Sequence, residues 1–384
     1  MTESESQEFL NNESKSFKDL KHEIIEANKC CACGACIAYC ESQAFNVIEM
    51  KGYIPEFKSE KCVDNCTKCG VCYYICPQTT TLLDTLNDTY RVKDDIGNIV
   101  KILAAKTTNS TLEEVGQDGG IVSAILAFLF EKNKIDAAIV SEFDHNYEPV
   151  PKIIFDKEDL FKSAGTRYSI SPQVFPLKNL YSIPQEILKK KKIFNIDQMR
   201  MAFIGTPCQC RAISKMKFLY IKPAHVIKYV IGLFCFENFI YTQLYDILKR
   251  ETKVDSTNIK KTWIKKNFFV QTKDNNEFEI DIKLLNPAVR SNCLECDEFT
   301  GKFTDISVGA SGAPKGYSMI LIRTNKGEKL INNMLSRGII QQFVVPFNKT
   351  IEWKKKKLNW YSKLISLKKR NNLVNNTKIN VITS

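Results

Sequence analysis

Two runs of cysteine constrain this chain more than anything else in it. The first reads Cys30-x2-Cys33-x2-Cys36-x3-Cys40, and the second Cys66-x2-Cys69-x2-Cys72-x3-Cys76-Pro77. Every cysteine of the second run lies 36 residues after its counterpart, so one metal-binding unit occurs twice. Three thiolates at i, i+3 and i+6 on a tight loop can reach three irons of a cubane, and a distant cysteine then supplies the fourth ligand. Zinc usually takes two CxxC pairs across a longer loop and fits this spacing poorly. Disulfides are not expected either, because the acidic, polar start from Met1 to Gln7 is unlike a signal peptide.

This is the spacing of bacterial two-cluster ferredoxins, in which the fourth cysteine of each run ligates the other cluster. It predicts one 4Fe-4S cluster on Cys30, Cys33, Cys36 and Cys76, and a second on Cys66, Cys69, Cys72 and Cys40. Exchanging the fourth ligands staples the two halves together. Cys31 and Cys62 are left over and are not expected to be ligands.

A length of 384 residues allows two or three domains. The expected class is α/β (α+β): a small two-cluster ferredoxin-like domain, then a larger α/β domain. The expected divisions are a mobile N-terminus over 1–21, the ferredoxin-type domain over 22–88, the larger domain over 89–340 and a basic tail over 341–384. The longest apolar run, Ile121 to Phe130, is too short to span a bilayer, so a cytoplasmic protein is expected and not an integral membrane one. The net charge of +12 is uneven: between Ile351 and Ser384 nine Lys and Arg face Glu352 alone. No nucleic-acid motif accompanies that charge, so no nucleic-acid partner is expected. The tail reads as solvated, with an acidic redox partner as the second reading.

Within the larger domain, Gly116 to Ser123 carries a Gly119-Gly120 turn before an apolar helical stretch. Such a turn admits a close backbone approach, and a phosphate can sit on the helix N-terminus behind it. It is not GxGxxG, so no dinucleotide fingerprint is read here. Ser163 to Ser169 combines a glycine, hydroxyls, one cation and one ring, the inventory of a phosphate or flavin edge or of an ordinary loop. Strands are expected over Ile135–Ser141, Met199–Ile204, Val226–Leu233 and Thr304–Gly309, with a final one over Tyr317–Arg323. A hairpin is expected over Lys261–Ile282. A strand running into Gly205-Thr206-Pro207-Cys208-Gln209-Cys210 and then a helix is where open α/β sheets place reactive groups. Cys208, Cys235, Cys293 and Cys296 can bind zinc, hold a third cluster or be unrelated buried thiols. His22, His145 and His225 form no motif.

Several ordered stretches carry a resemblance. They are Gly119 to Ala124, Ala164 to Tyr168, Gly205 to Gln209, Gly232 to Cys235, Cys293-x2-Cys296-Asp297-x-Phe299, and Asp305 to Gly309 leading to Arg323-Thr324. Over roughly residues 25 to 340 the chain resembles the beta subunit of coenzyme F-420 (F420) hydrogenase/dehydrogenase, with a ferredoxin domain fused in front. The resemblance implies FAD, iron–sulfur clusters, and electron transfer between a hydride carrier, F420, and one-electron acceptors. The implied partner is a redox protein or subunit: a hydrogenase, dehydrogenase, reductase or ferredoxin. It makes Cys208, Cys235, Cys293 and Cys296 expected ligands of a third 4Fe-4S cluster. It makes Gly119, Gly120, Ile121, Val122, Ser123, Gly165, Thr166, Arg167, Tyr168, Thr206, Pro207 and Gln209 expected flavin contacts, with Arg167 neutralising phosphate or reduced flavin. Relatives that reduce an organic substrate directly, or a relay subunit without flavin, are the alternatives. The chain departs from the family pattern at Asp118, where a small hydroxyl residue is usual, and at Arg167, where Lys is usual. It departs also at Glu41, in place of proline after Cys40, and in the extra Cys210.

Overall fold

The computed structural model describes residues 15–382, with side chains through residue 370. Both cysteine runs lie on loops that turn through a left-handed glycine into a helix. Gly34 (φ 83°) precedes α1 (Ala35–Ser42), and Gly70 (φ 74°) precedes the single turn Val71–Tyr74. The sequence repeat is thus a repeat of local structure, and only glycine adopts those angles without strain. A hairpin of β1 (Ile48–Lys51) and β2 (Ile54–Phe57) follows the first unit. The apolar core of this module is small: Phe17, Leu20, Ile24, Ile37, Val47 and Ile48, walled by Cys36, Cys40 and Cys72. The short helix Phe17–Leu20 belongs to that core. Ser16 and Asp19 close its N-terminus as a capping box, and Phe17 meets Phe57 edge-on at 4.8 Å. The ordered module therefore begins before residue 22, and residues 1–14 of the expected mobile N-terminus lie outside the described residues.

The larger domain is built on eight strands: β3 (Lys101–Thr107), β4 (Ala137–Phe143), β5 (Pro149–Ile154), β6 (Met201–Gly205), β7 (Ile227–Leu233), β11 (Ile306–Gly309), β12 (Ser318–Ile322) and β13 (Ile340–Gln342). Their order is β13-β3-β12-β11-β7-β6-β4-β5. The middle four, β11, β7, β6 and β4, run parallel, and the flanking pairs are antiparallel. Tyr317–Arg323 is thus a strand but not the last one. Strand alternation sorts side chains to two buried faces. Ala138, Val140, Ala202 and Ile204 pack under α2 (Ile121–Glu131) and α4 (Asn325–Ser336). Ala137, Ile139, Met201 and Phe203 pack under α3 (Pro207–Phe218) on the other face.

That second face holds more than its own helix. Cys31, Cys33, Ala35, Ala38, Val71, Ile75 and Leu82 of the cysteine-rich module lie in the same core. A Cβ on Gly34 would come within 2.6 Å of Phe175, Val174 N–H donates to Cys33 O at 3.0 Å, and Tyr53 bonds Glu148. Packing is continuous across the expected 88/89 division. A separate three-stranded sheet, β8 (Ile259–Ile264), β9 (Phe268–Thr272) and β10 (Glu277–Ile280), stands where a simple hairpin is expected; an extra turn at Lys265–Asn267 supplies the third strand.

The C-terminal tail is a helix, α5 (Thr350–Ile382), and it is not simply solvated. Tyr361 and Ile365 are buried against Ile102, Ala104, Met319 and Leu321 of the sheet, and Lys357 Nζ donates to Gly312 O at 2.6 Å. Its lysines fall on more than one side, so the charge hides an apolar seam. The expected basic residue Lys378 lies outside the described side chains.

Gly119 shows how tightly the turn before α2 is seated. A Cβ there would lie 2.6 Å from both Ala105 O and Ser318 N. Since backbone atoms of β3 and β12 cannot easily yield, Gly119→Ala should lower stability by roughly 1–3 kcal/mol. A thermal midpoint equal to that of the unsubstituted protein would contradict this.

Candidate metal centres

The cysteine runs converge in three dimensions as well as in spacing. Cys30, Cys33, Cys36 and Cys76 border one cavity, closed by Leu20, Ile24, Pro55 and Pro77. Burial pushes the Cys36 thiol well above its ordinary pKa, and the neighbouring charges of Cys30, Cys72 and Cys76 push it further. Burial raises Cys72 likewise, with Cys69, Cys66 and Cys40 adding to it. So Cys76 of the second run stands among the first three cysteines, and Cys40 stands among the last three. Backbone N–H groups point at the sulfurs: Ala32 N donates to Cys30 Sγ at 3.3 Å, and N–H donors also face Cys33, Cys36, Cys40 and Cys76.

The third set is assembled by the sheet. β6 ends at Gly205, and Thr206 and Gln209 then close the start of α3 as a capping box, with Thr206 N donating to Gln209 Oε1 at 3.1 Å. Pro207 occupies the first helical turn, where its missing N–H costs nothing. Cys208 follows it at the carboxyl end of β6. The neighbouring parallel strand β7 carries Cys235 beyond its own carboxyl end, and the turn Ser291–Leu294 brings Cys293 and Cys296. All four thiols line one cavity with Thr206, Asn238, Asn292 and Lys368. Burial pushes Cys293 to about 12, with Cys296 and Cys208 also raising it and Lys368 opposing them.

These residues fit iron–sulfur clusters on chemical grounds. Buried thiols that raise one another's pKa gain nothing from being together, whereas a bound metal deprotonates its thiol ligands and inverts that repulsion. N–H groups aimed at sulfur suit thiolates. Among the described residues, no three His, Cys, Asp or Glu side chains converge as a single ion would require. The cysteines instead ring cavities.

Sequence reasoning leaves Cys31 spare, yet its position is central. It is buried, its side chain is in contact with both Cys33 and Cys208, and it borders both cavities. Three buried cations were also not foreseen. Lys215 Nζ donates to Cys76 O at 2.6 Å and Thr79 O at 2.9 Å, and burial lowers its pKa to about 7. Arg211 pairs with Glu298 Oε2 at 2.6 Å and donates to Pro77 O at 3.2 Å. Lys368 reaches in from α5. No local motif marks any of them, because each partner is distant in sequence.

The expected flavin contacts divide. The Gly116–Ser123 turn, Thr166, Tyr168 and β8 meet: the Tyr168 hydroxyl accepts from Ile264 N at 2.9 Å, Lys261 Nζ donates to Gly116 O at 3.2 Å, Lys261 and Lys265 act on Asp118, and Asp118 acts on Tyr168. Gly120 (φ 63°) precedes Ile121, Val122 and Ser123, the first residues of α2, and Gly165 is left-handed as well (φ 87°). Arg167 is otherwise engaged. Its guanidinium donates to the carbonyls of Lys162, Ser163, Ala164 and Gly165 and stacks 4.5 Å from the Phe143 ring. Its terminal nitrogens close a helix end, while its Nε is buried with no partner among the described residues. Thr206 and Gln209 are likewise occupied by their capping box and by Ser171 O, 2.6 Å from Gln209 Nε2.

Models of the coenzyme F420 hydrogenase/dehydrogenase beta subunit match the chain twice, the N-terminal model over residues 102–178 and the C-terminal model over residues 198–343. A component of the F(420)H(2) dehydrogenase of Methanosarcina mazei is 30% identical over 87% of this chain and 91% of its own length. The chain belongs to the family of coenzyme F420 hydrogenase/dehydrogenase beta subunits. The coenzyme F420-dependent sulfite reductase of Methanocaldococcus jannaschii is 30% identical over 83% of this chain, which spans about half (48%) of that protein. A structure of the F420-reducing [NiFe] hydrogenase complex from Methanosarcina barkeri superposes with a TM-score of 0.62 at 27% identity, covering 74% of this chain and 94% of that one. The mixed α/β fold is therefore a family property. Among the described residues, no helix is long and apolar enough to cross a membrane.

The Arg211–Glu298 pair sits between two of the cysteine sets, with side chains 15% and 2% exposed. Removing one partner of a buried pair strands the other, so Glu298→Gln should cost about 3 kcal/mol. Thermal melting under anaerobic conditions checks this; a loss below about 1 kcal/mol would place the pair with ordinary surface bridges.

Proposed function

We propose that this member of the F420-linked family carries electrons between a hydride carrier, F420, and a partner redox protein, by way of FAD and three 4Fe-4S clusters. The observation that carries the reading is the unbroken succession of cysteine sets. Cys208, Cys235, Cys293 and Cys296 adjoin Cys31; Cys31 adjoins Cys33 of the set Cys30, Cys33, Cys36 and Cys76; and Cys36 and Cys76 adjoin Cys72 of the set Cys40, Cys66, Cys69 and Cys72. Cys69 is exposed, so the succession ends at the surface, where a partner can exchange electrons.

When bound, the flavin would supply the exchange between hydride and single electrons, and the clusters would supply one-electron carriage. This chain's residues hold and insulate. The cysteines would ligate iron, the N–H groups along both loops would offset thiolate charge, and the apolar walls of the first cavity would exclude water. The turn at Gly119-Gly120, the free N–H groups of Ile121, Val122 and Ser123, and the Gly165, Thr166 and Tyr168 loop would bind the flavin. Lys261 and Lys265 beside Asp118 would add positive charge at this site.

Anaerobically purified protein should contain about twelve irons per chain and one FAD, and Cys293→Ala should lower the iron to about eight. Adding reduced F420 should bleach the flavin in both proteins but reduce iron only in the unsubstituted one. About eight irons in the unsubstituted protein would remove the third cluster, and lack of FAD would remove the hydride step.

A further inference from the structure

The helix α5 begins beyond residue 343, where the family model ends, and yet it delivers a side chain to the third cysteine set. Lys368 is only 3% exposed. Its ammonium donates to Cys235 O at 3.2 Å and to Glu298 O at 2.8 Å, and it lines the cavity that Cys208, Cys235, Cys293 and Cys296 share. Burying an ammonium is costly unless something compensates its charge. Of the carboxylates nearby, Glu298 is committed to Arg211 and to Lys302 N, and Glu237 also acts on Lys368. Across the same cavity Lys368 faces the sulfurs of Cys208, Cys235, Cys293 and Cys296.

We propose that Lys368 is the fixed countercharge of the Cys208/Cys235/Cys293/Cys296 centre and raises its reduction potential, so that the C-terminal helix sets how readily that centre accepts an electron. The inference rests on the reading that these four cysteines hold a 4Fe-4S cluster. Reduction adds one electron, drawn from the F420-linked donor, to a centre already negative from four thiolates. No bond need form or break. A cation held in a dry site stabilises the reduced form more than the oxidised one, because the attraction grows with the added charge and is weakly screened there. Lys368 acts through the centre and touches no substrate, so it is a positioning and tuning residue.

Lys215 provides a contrast. It serves the Cys30/Cys33/Cys36/Cys76 set from within the sheet domain, and burial lowers its pKa to about 7. Lys368 differs in having three cysteines as its opposing charges and in arriving on a separate element.

The test is an anaerobic potentiometric titration of the full chain, followed by electron paramagnetic resonance, for the unsubstituted protein, Lys368→Gln and Lys368→Arg. Gln keeps an N–H donor but carries no charge. In Lys368→Gln, the reduced-to-oxidised ratio of the third centre at a fixed potential should fall at least tenfold, which is 59 mV for a one-electron couple. The two ferredoxin-type centres should not move, and Lys368→Arg should stay within threefold of the unsubstituted protein. A third centre in Lys368→Gln with an unchanged ratio overturns the proposal. If Lys368→Gln assembles no third centre, Lys368→Arg decides: a centre present there supports the countercharge, and one absent there as well shows that only the shape of lysine is needed and overturns it. An unsubstituted protein with two centres overturns the cluster reading itself, which is a separate failure visible before any variant is made.

Discussion

Gathering thiols into a protein interior is an electrostatic problem, and most of this structure can be understood as its solution. Each buried cysteine raises the pKa of its neighbours, so the sets are unfavourable unless positive charge offsets them. The fold supplies part of that offset itself. N–H groups at the turns after Cys30 and Cys76 face sulfur, Lys215 lies behind Cys76, and Lys368 lies beside Cys235 and Cys296. Iron would supply the rest.

The same constraint explains why the cysteine-rich module is fused to the sheet domain so closely. A module with a core of a few apolar residues cannot bury two sets of charge alone. Here the module borrows the face of β4 and β6, and Cys31 and Cys33 become part of the core that α3 also enters. Electron transfer falls steeply with distance, so a shared core between centres serves function and stability together. The C-terminal helix extends the arrangement on the other side, where Tyr361 and Ile365 anchor it and Lys368 reaches inward.

What was legible in the sequence followed the reach of local spacing. The two cysteine runs could be read because each is a single loop, and the strands over 201–205, 227–233 and 318–322 because they are short runs rich in apolar residues. The Gly205 to Gln209 stretch was visible as a motif, but its capping role was not. Its Thr206 and Gln209 are a capping box that aims Cys208, and their side chains are already hydrogen-bonded. Arg167 has the composition of a phosphate-binding cation, but the carbonyl groups from Lys162 to Gly165 claim it. A fixed charge in a sequence does not say whether it faces a ligand or its own backbone.

By itself the sequence determined that this chain has two cysteine units of one design and an α/β domain behind them, since both follow from periodicities of a few residues. Tertiary structure decided which thiols are neighbours. Cys208 and Cys235 meet because β6 and β7 are adjacent parallel strands, Cys31 joins two cavities because α1 packs onto the sheet domain, and a lysine from a tail that reads as solvated is buried beside sulfur. The physical reason is that charge compensation in a dry interior acts through space: it selects partners by distance and burial, and these have no fixed spacing along the chain.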